Sequence, residues 1–161
     1  MKRKLDLRTG RPMWMVYRAP KPPSEALTRD FKIDILIVGA GISGAMIAEM
    51  LTDQGCKVAL IDRRGPMLGS TAATTALVQY EIDTPLTDLS KKIGKSNAQA
   101  AWRRSRLAVA ALKARIQELR IECDFAERPS LFLAGDLLDA GGLREEVDLR
   151  REAGIYADYL D

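Results

Sequence analysis

Histidine is absent from the 161 residues of this chain, and cysteine occurs only twice. Without histidine, the chain cannot supply a Ser-His-Asp triad, a histidine general base or a zinc site that uses imidazole. Cys56 and Cys123 lie far apart in sequence and form no Cys-x-x-Cys pair. We interpret them as small buried apolar residues rather than as nucleophiles. The sequence therefore predicts no catalytic residue and no metal site.

Long apolar runs are also lacking. The longest candidate, residues 35–51, is interrupted by glycine and serine and carries Glu49, so it is not typical of a membrane span. The first residues, MKRKLDLRTGRP, are basic but lack the apolar segment of a secretory signal. Apolar residues make up 47% and charged residues 29%, which is typical of one globular domain. We expect a cytoplasmic protein without a transmembrane segment.

Charge is unevenly distributed along the chain. Residues 1–32 hold nine Lys or Arg against three Asp or Glu, a net of +6, whereas the other 129 residues hold 16 against 19, a net of −3. A basic leader of this kind is either a nucleic-acid arm or a solvated extension with a small apolar anchor at Met13–Tyr17. The basic residues are scattered rather than clustered, which favours the extension. We expect no nucleic-acid partner.

The apolar pattern predicts alternating strands and helices, followed mainly by helices. Buried strands are expected at 31–38 and 57–61, and a further strand at 130–134. Thr84-Pro85 is expected to cap and open a short helix ending near Gly94, and the capping-box pattern from Ser96 to Gln99 a long one. The predicted helices are 43–54, 85–94, 96–121 and 143–153.

One glycine-rich motif lies between the first strand and the first helix. Gly39-Ala40-Gly41-Ile42-Ser43-Gly44 is a G-x-G-x-x-G sequence. The first glycine permits a tight turn, the second lets a pyrophosphate approach the backbone, and the third lets the helix pack closely on the strand. Asp62 ends the second strand 18 residues after Gly44, where a carboxylate can accept hydrogen bonds from a ribose diol. This register predicts a dinucleotide site at the helix N-terminus.

The residues after Asp62 bear on which dinucleotide is bound. The carboxylate disfavours a 2′-phosphate, although Arg63 and Arg64 partly offset that repulsion. A Gly-Ser-Thr turn and small residues then follow, where a plain nicotinamide-binding fold would resume its strand–helix alternation. Such hydroxyls and amides suit a second approach to the phosphates or to a flavin.

Three segments, VGAGISGAMIAEML, VALIDRR and GSTAATTALVQYEID, resemble the FAD-dependent oxidoreductases of the D-amino acid oxidase and glycine oxidase type. The resemblance covers roughly residues 34–161 and implies that the acid binds the adenosine ribose while the Ser/Thr turn contacts the pyrophosphate. Thr74 and Thr75 depart from the small residues common in that family near the flavin ring. The cofactor-binding residues expected on this basis are Gly39, Ala40, Gly41, Ile42, Ser43, Gly44, Asp62, Arg63, Arg64, Ser70 and Thr71.

The resemblance also implies a fold and an activity. The expected fold is α/β: a Rossmann-like FAD-binding βαβ unit with an incomplete sheet, followed by the mainly helical start of a substrate domain. The expected parts are a basic extension (1–30), an FAD-binding segment (31–83) and a helical segment (84–161). The implied reaction is FAD-dependent oxidation of a C–N bond in an amino acid or amine. Because the chain has no histidine, we expect a flavin that is not linked covalently through histidine.

Members of that family are more than twice as long as this chain. We therefore expect the chain to correspond to an N-terminal portion, inactive alone, with a second chain as one source of the missing half. Two alternatives remain open. One is an NAD-dependent dehydrogenase domain, and the other is a non-catalytic nucleotide-binding fragment that needs a partner chain.

Overall fold

The computed structural model describes residues 12–16 and 22–160 of the chain. The chain divides into two compact units, Met1–Leu77 and Val78–Asp161. The predicted extension, 1–30, lies partly outside the described residues, and the predicted boundary at 83/84 stays a prediction.

The first unit is built on a parallel βαβ arrangement. Strand β1 (Ile35–Val38) and strand β2 (Val58–Ile61) pair in parallel, with Ile35 opposite Val58 and Val38 opposite Ile61. Helix α1 (Ile42–Asp53) connects them. It ends where Gly55 takes a positive φ of 83°, a conformation that costs glycine little. The predicted order of strand, helix and strand is confirmed, and it is that of a partial Rossmann-like unit.

The sheet has one face that its own helix leaves open. Along β1, half-buried Ile35 and Ile37 alternate with exposed Leu36 and Val38, and Val38 is 76% exposed. Within residues 12–16 and 22–160, only β1 and β2 pair as a sheet. Parallel sheets are normally covered on both faces. Here the exposed side chains of Leu36 and Val38 leave apolar surface uncovered on one face.

Within residues 78–160, the second unit has three helices, which pack around the buried ring of Trp102. Its helices are α2 (Leu86–Ile93), α3 (Lys95–Glu118) and α4 (Ala140–Glu152). Trp102 of α3 is fully buried, and the ring of Tyr80 meets it edge-on at a centroid distance of 6.3 Å. The buried apolar residues of this core are Leu86, Ala98, Trp102, Ala153 and Ile155.

A carboxylate of α4 caps the N-terminus of α2. Glu146 is only 3% exposed, and its Oε1 and Oε2 accept hydrogen bonds from the backbone N–H groups of Leu86 (2.9 Å) and Thr87 (2.8 Å). The Nε of Arg150 donates to the same carboxylate at 2.8 Å, and the Arg150 guanidinium lies 4.5 Å from the Trp102 ring centroid. Two N–H groups that have no acceptor within α2 are thereby satisfied by a residue about 60 positions away.

Two predicted helix starts in this unit are wrong. Thr84 does not cap α2, because Pro85 occupies the N-cap position without a side-chain cap and the Glu146 carboxylate does the capping. Ser96 does not open α3, because the helix already begins at Lys95 after Gly94, whose φ of +83° ends α2. The Glu146 carboxylate of another helix caps α2, and Gly94 alone joins α2 to α3. Neither helix start therefore needs a cap from a neighbouring side chain.

Two predicted strands also differ from the structure. Residues 130–134 form no strand: Leu131 and Leu133 are more than 70% exposed, and the Ser130 hydroxyl donates to Glu81 instead. The first strand begins at Ile35 rather than at residue 31, because its partner supplies only four residues, Val58–Ile61. The remaining helix ends differ from prediction by one to three residues.

Replacing Glu146 tests the capping of α2. We expect Glu146→Ala to lower the free energy of unfolding by about 3 kcal/mol, because two buried N–H groups and the Arg150 guanidinium lose their acceptor. Urea unfolding followed by Trp102 fluorescence, in a Trp14→Phe background that leaves one tryptophan, measures this. Glu145→Ala removes an exposed acid from the same helix and is the control. Equal midpoints for the two variants would show that the cap carries no stability.

The same carboxylate predicts a pH dependence. Burial raises the pKa of Glu146, but the hydrogen bonds from Thr87, Leu86 and Arg150 outweigh it, so the folded pKa lies below the ordinary value of 4.5. A lowered folded pKa contributes stability that is present above 4.5 and lost as pH falls through the folded value. Wild type should therefore lose its advantage over Glu146→Gln on acidification below that pH. A stability difference independent of pH between the two proteins would contradict this.

Candidate functional site

The Gly39–Gly44 turn connects β1 to α1 in a conformation that requires glycine. Gly39 has a φ of +111°, and its N–H donates to the carbonyl of Ile61 at 2.8 Å. The turn therefore leaves the carboxyl end of β1 while still bonded to β2. Gly41 is the N-cap residue of α1, with extended backbone and no capping side chain.

The second and third glycines are required by close contacts. A Cβ on Gly44 would lie 1.9 Å from the carbonyl oxygen of Gly39 and 3.3 Å from Leu60 of β2. A Cβ on Gly41 would lie 3.0 Å from the hydroxyl oxygen of Thr71. The turn and the helix are thus packed at backbone distance, with the Leu60 side chain of the second strand against them, as the spacing of the motif predicts.

Asp62 connects the two loops that follow the strands. Its Oδ2 accepts from the Ala40 N–H at 3.0 Å, and its Oδ1 accepts from the N–H groups of Arg64 (2.7 Å) and Gly65 (3.1 Å). The bonds from Arg64 and Ala40 contribute most to lowering the pKa of Asp62, so this group is a carboxylate at neutral pH. Asp62, which the sequence predicts to bind a ribose, therefore also accepts a hydrogen bond from the glycine turn.

Thr71 supplies the cap that Gly41 lacks. It lies in a short 3-10 turn, Ser70–Ala73, and its Oγ1 accepts a hydrogen bond from the Ile42 N–H at 2.9 Å. The Ala40 carbonyl accepts a second bond between the loops, from the Met67 N–H at 2.9 Å. These bonds bring the Ser/Thr turn against the first turn of α1.

Four other predicted residues are exposed at the surface. Ser43 lies in the first turn of α1, Ser70 begins the 3-10 turn, and Arg63 and Arg64 follow Asp62. Sequence reasoning missed Met67, which takes a φ of +61°, and Trp14, whose Nε1 donates to the Thr74 carbonyl at 2.6 Å. No local sequence signal identifies Met67, whereas Trp14 lies in the apolar anchor that the sequence singled out. Tyr17 of that anchor lies outside the described residues.

This donor set fits a dinucleotide. The N-terminus of α1 presents backbone N–H groups and a partial positive charge, which favour a pyrophosphate. Gly41 contributes no side chain, and the Thr71 hydroxyl that lies beside it can both donate and accept. Asp62 offers a carboxylate at the end of β2, where ribose hydroxyls find an acceptor.

Comparison with known proteins identifies the family. The model of the family named FAD dependent oxidoreductase (DAO) matches residues 34–161. The chain belongs to this family. A Bacillus subtilis (strain 168) protein, YhfW, whose name describes a Rieske 2Fe-2S iron-sulfur protein, is 27% identical over 139 residues. The match covers 86% of this chain but 27% of YhfW, so the chain spans about a quarter of that relative. No solved structure matches.

In the part of the chain that the structure describes, residues 12–16 and 22–160, none of the helices combines the length and the apolar composition of a membrane span. No group of three or more His, Cys, Asp or Glu residues in that part is arranged to hold a metal ion.

The close packing at Gly44 gives a prediction about the unit itself. Gly44→Ala should unfold or loosen the βαβ arrangement, with a loss of about 3 kcal/mol, because the new Cβ meets a backbone oxygen that cannot move aside cheaply. Amide hydrogen exchange of residues 35–61 measures the loss. The matched control is Gly135→Ala, where the new Cβ has open space. Unchanged protection in Gly44→Ala would mean that the helix and the turn do not pack as described.

Proposed function

We propose that the first unit binds FAD, with the pyrophosphate at the N-terminus of α1 and the adenosine ribose at Asp62. The observation that carries this proposal is the convergence of Asp62 and Thr71 on the turn between β1 and α1. The family match adds support, because it covers both residues within 34–161.

The reaction that we propose is oxidation of a C–N bond in an amine or amino acid, as in D-amino acid oxidase and glycine oxidase. The substrate loses a hydride from carbon and a proton from nitrogen and becomes an imine. When bound, FAD accepts the hydride and its two electrons. This chain's residues bind and orient the cofactor, and we assign none of them to the proton transfer.

We further propose that the active unit includes residues beyond these 161, on a further segment or on a second chain. The open face of the β1–β2 sheet supports this, since Leu36 and Val38 are more than half exposed. Apolar area left in water forfeits about 25 cal/mol per Å², so the sheet gains from a cover. The small share of YhfW that the chain spans agrees with this view.

Experiments on function therefore need the native preparation, by which we mean the chain tagged in and purified from its own host without denaturants. Such a preparation retains whatever segment or chain completes the unit. Visible flavin absorbance distinguishes FAD from NAD, which has none in that range. Anaerobic bleaching of this absorbance by an amine or amino acid tests the reaction. Stoichiometric NAD in place of flavin would overturn the proposal.

Substitution at Gly41 tests the location of the site. Gly41→Val should abolish flavin content in the native preparation, because the side chain covers the backbone where the pyrophosphate is proposed to lie. Flavin released by acid, counted per chain, is the measurement, and Gly135→Val is the control. Since the new side chain also meets the Thr71 hydroxyl, Gly41→Val is repeated in a Thr71→Ala background, where a further loss of flavin relative to Thr71→Ala alone is expected without that clash. Normal flavin content in Gly41→Val would place the cofactor elsewhere.

A further inference from the structure

We propose that Trp14 is a positioning residue that holds the Ser70–Thr74 turn where Thr71 meets α1, and thereby sets the affinity for the cofactor. This inference rests on the proposed FAD site. It assigns a role in that site to a residue that lies before the family match, which begins at residue 34.

The contact joins two short 3-10 turns that are distant in sequence. Met13–Val16 packs against Ser70–Ala73, and the Trp14 Nε1 donates to the Thr74 carbonyl at 2.6 Å across 60 residues. A backbone bond from Met15 N–H to the Pro12 carbonyl, 3.0 Å long, closes the first turn.

Burial indicates that the indole is the anchoring group. Trp14 is half-buried, whereas its neighbours Met13, Met15 and Val16 are 63%, 50% and 77% exposed. An apolar anchor that acted by surface area alone would bury more than one of these side chains. A tryptophan combines a large apolar ring with one N–H donor, which suits a contact that needs both area and direction.

Trp14 contacts the Ser70–Thr74 turn at one end, and α1 contacts it near the other end. Thr71 Oγ1 binds the Ile42 N–H at the start of the turn, and the Trp14 bond lies at its end, on Thr74. Two backbone bonds across the turn are long, 3.3 Å from the Ala72 N–H to the Gly69 carbonyl and 3.4 Å from the Thr74 N–H to the Thr71 carbonyl. The turn is also reached through Gly65 and Met67, both with positive φ. Fixing Thr74 therefore restricts where the Thr71 hydroxyl can lie.

The test is a double-mutant cycle on FAD affinity, measured by titrating the native preparation after its flavin has been removed. Trp14→Phe keeps a ring but removes the donor, and should raise the dissociation constant about fivefold, as loss of one hydrogen bond does. Val16→Ala, an exposed change in the same 3-10 turn, is the control. In a Thr71→Val background, Trp14→Phe should have no further effect, whereas a merely structural role would give additive losses.

Hydrogen exchange of residues 70–74 in the flavin-free protein gives a second readout. Trp14→Phe should speed exchange there and leave residues 35–61 unchanged. If the wild type does not bind FAD but the variant exchanges faster at residues 70–74, the proposed function is wrong. The Trp14 contact is then still supported. Faster exchange with unchanged FAD affinity, additive losses, or no change in either measurement would each overturn the positioning role.

Discussion

The carboxylate of Asp62 connects the end of β2 to the turn that follows β1, and the geometry of the first unit depends on it. One oxygen accepts from Ala40 inside the glycine turn, and the other accepts from Arg64 and Gly65 in its own loop. Backbone N–H groups in such turns have no partner within a strand or helix, and a carboxylate satisfies several at once. Asp62, which follows the second strand, thereby shapes the glycine turn independently of any ligand.

The second unit uses the same device for a structural purpose. Glu146 is buried, binds two N–H groups at the start of α2 and is itself held by Arg150. In both units a carboxylate accepts hydrogen bonds from backbone N–H groups of another segment, and in both the bonds it accepts lower its pKa. The difference lies in exposure: Glu146 is only 3% exposed, whereas Asp62 is accessible enough to meet a ligand. The same chemistry therefore serves stability at Glu146 and, in the proposed cofactor site, recognition at Asp62.

What could be predicted from the sequence was local. The strand, turn and helix from Ile35 to Asp53 follow from a β-branched run, glycine spacing and helical periodicity, all of which act over a few residues. The role of Gly44 follows as well, because the motif itself fixes which glycine faces the turn. The strand predicted at 130–134 from a short apolar run is absent, since such a run forms a strand only where a partner edge is present.

What could not be predicted depended on distant pairs. Glu146 and Leu86 are 60 residues apart, as are Trp14 and Thr74. Propensity and capping patterns carry no information on such pairs, so Thr84 and Ser96 were assigned caps that other groups made unnecessary. In the candidate site, Asp62 and Thr71 were identified by type and position, but their bonds to Ala40 and Ile42 emerge only from tertiary structure.

The open sheet has a consequence for assembly. A parallel pair of strands offers hydrogen-bonding groups along its outer edges, and any extended apolar segment can add to them. A segment tethered to the same chain acts at an effective concentration on the order of millimolar, far above that of most free proteins in a cell. If the added strand instead comes from a separate chain, it has to compete with chance pairing by other strands. Producing both chains close together in time and space then becomes a condition for correct folding.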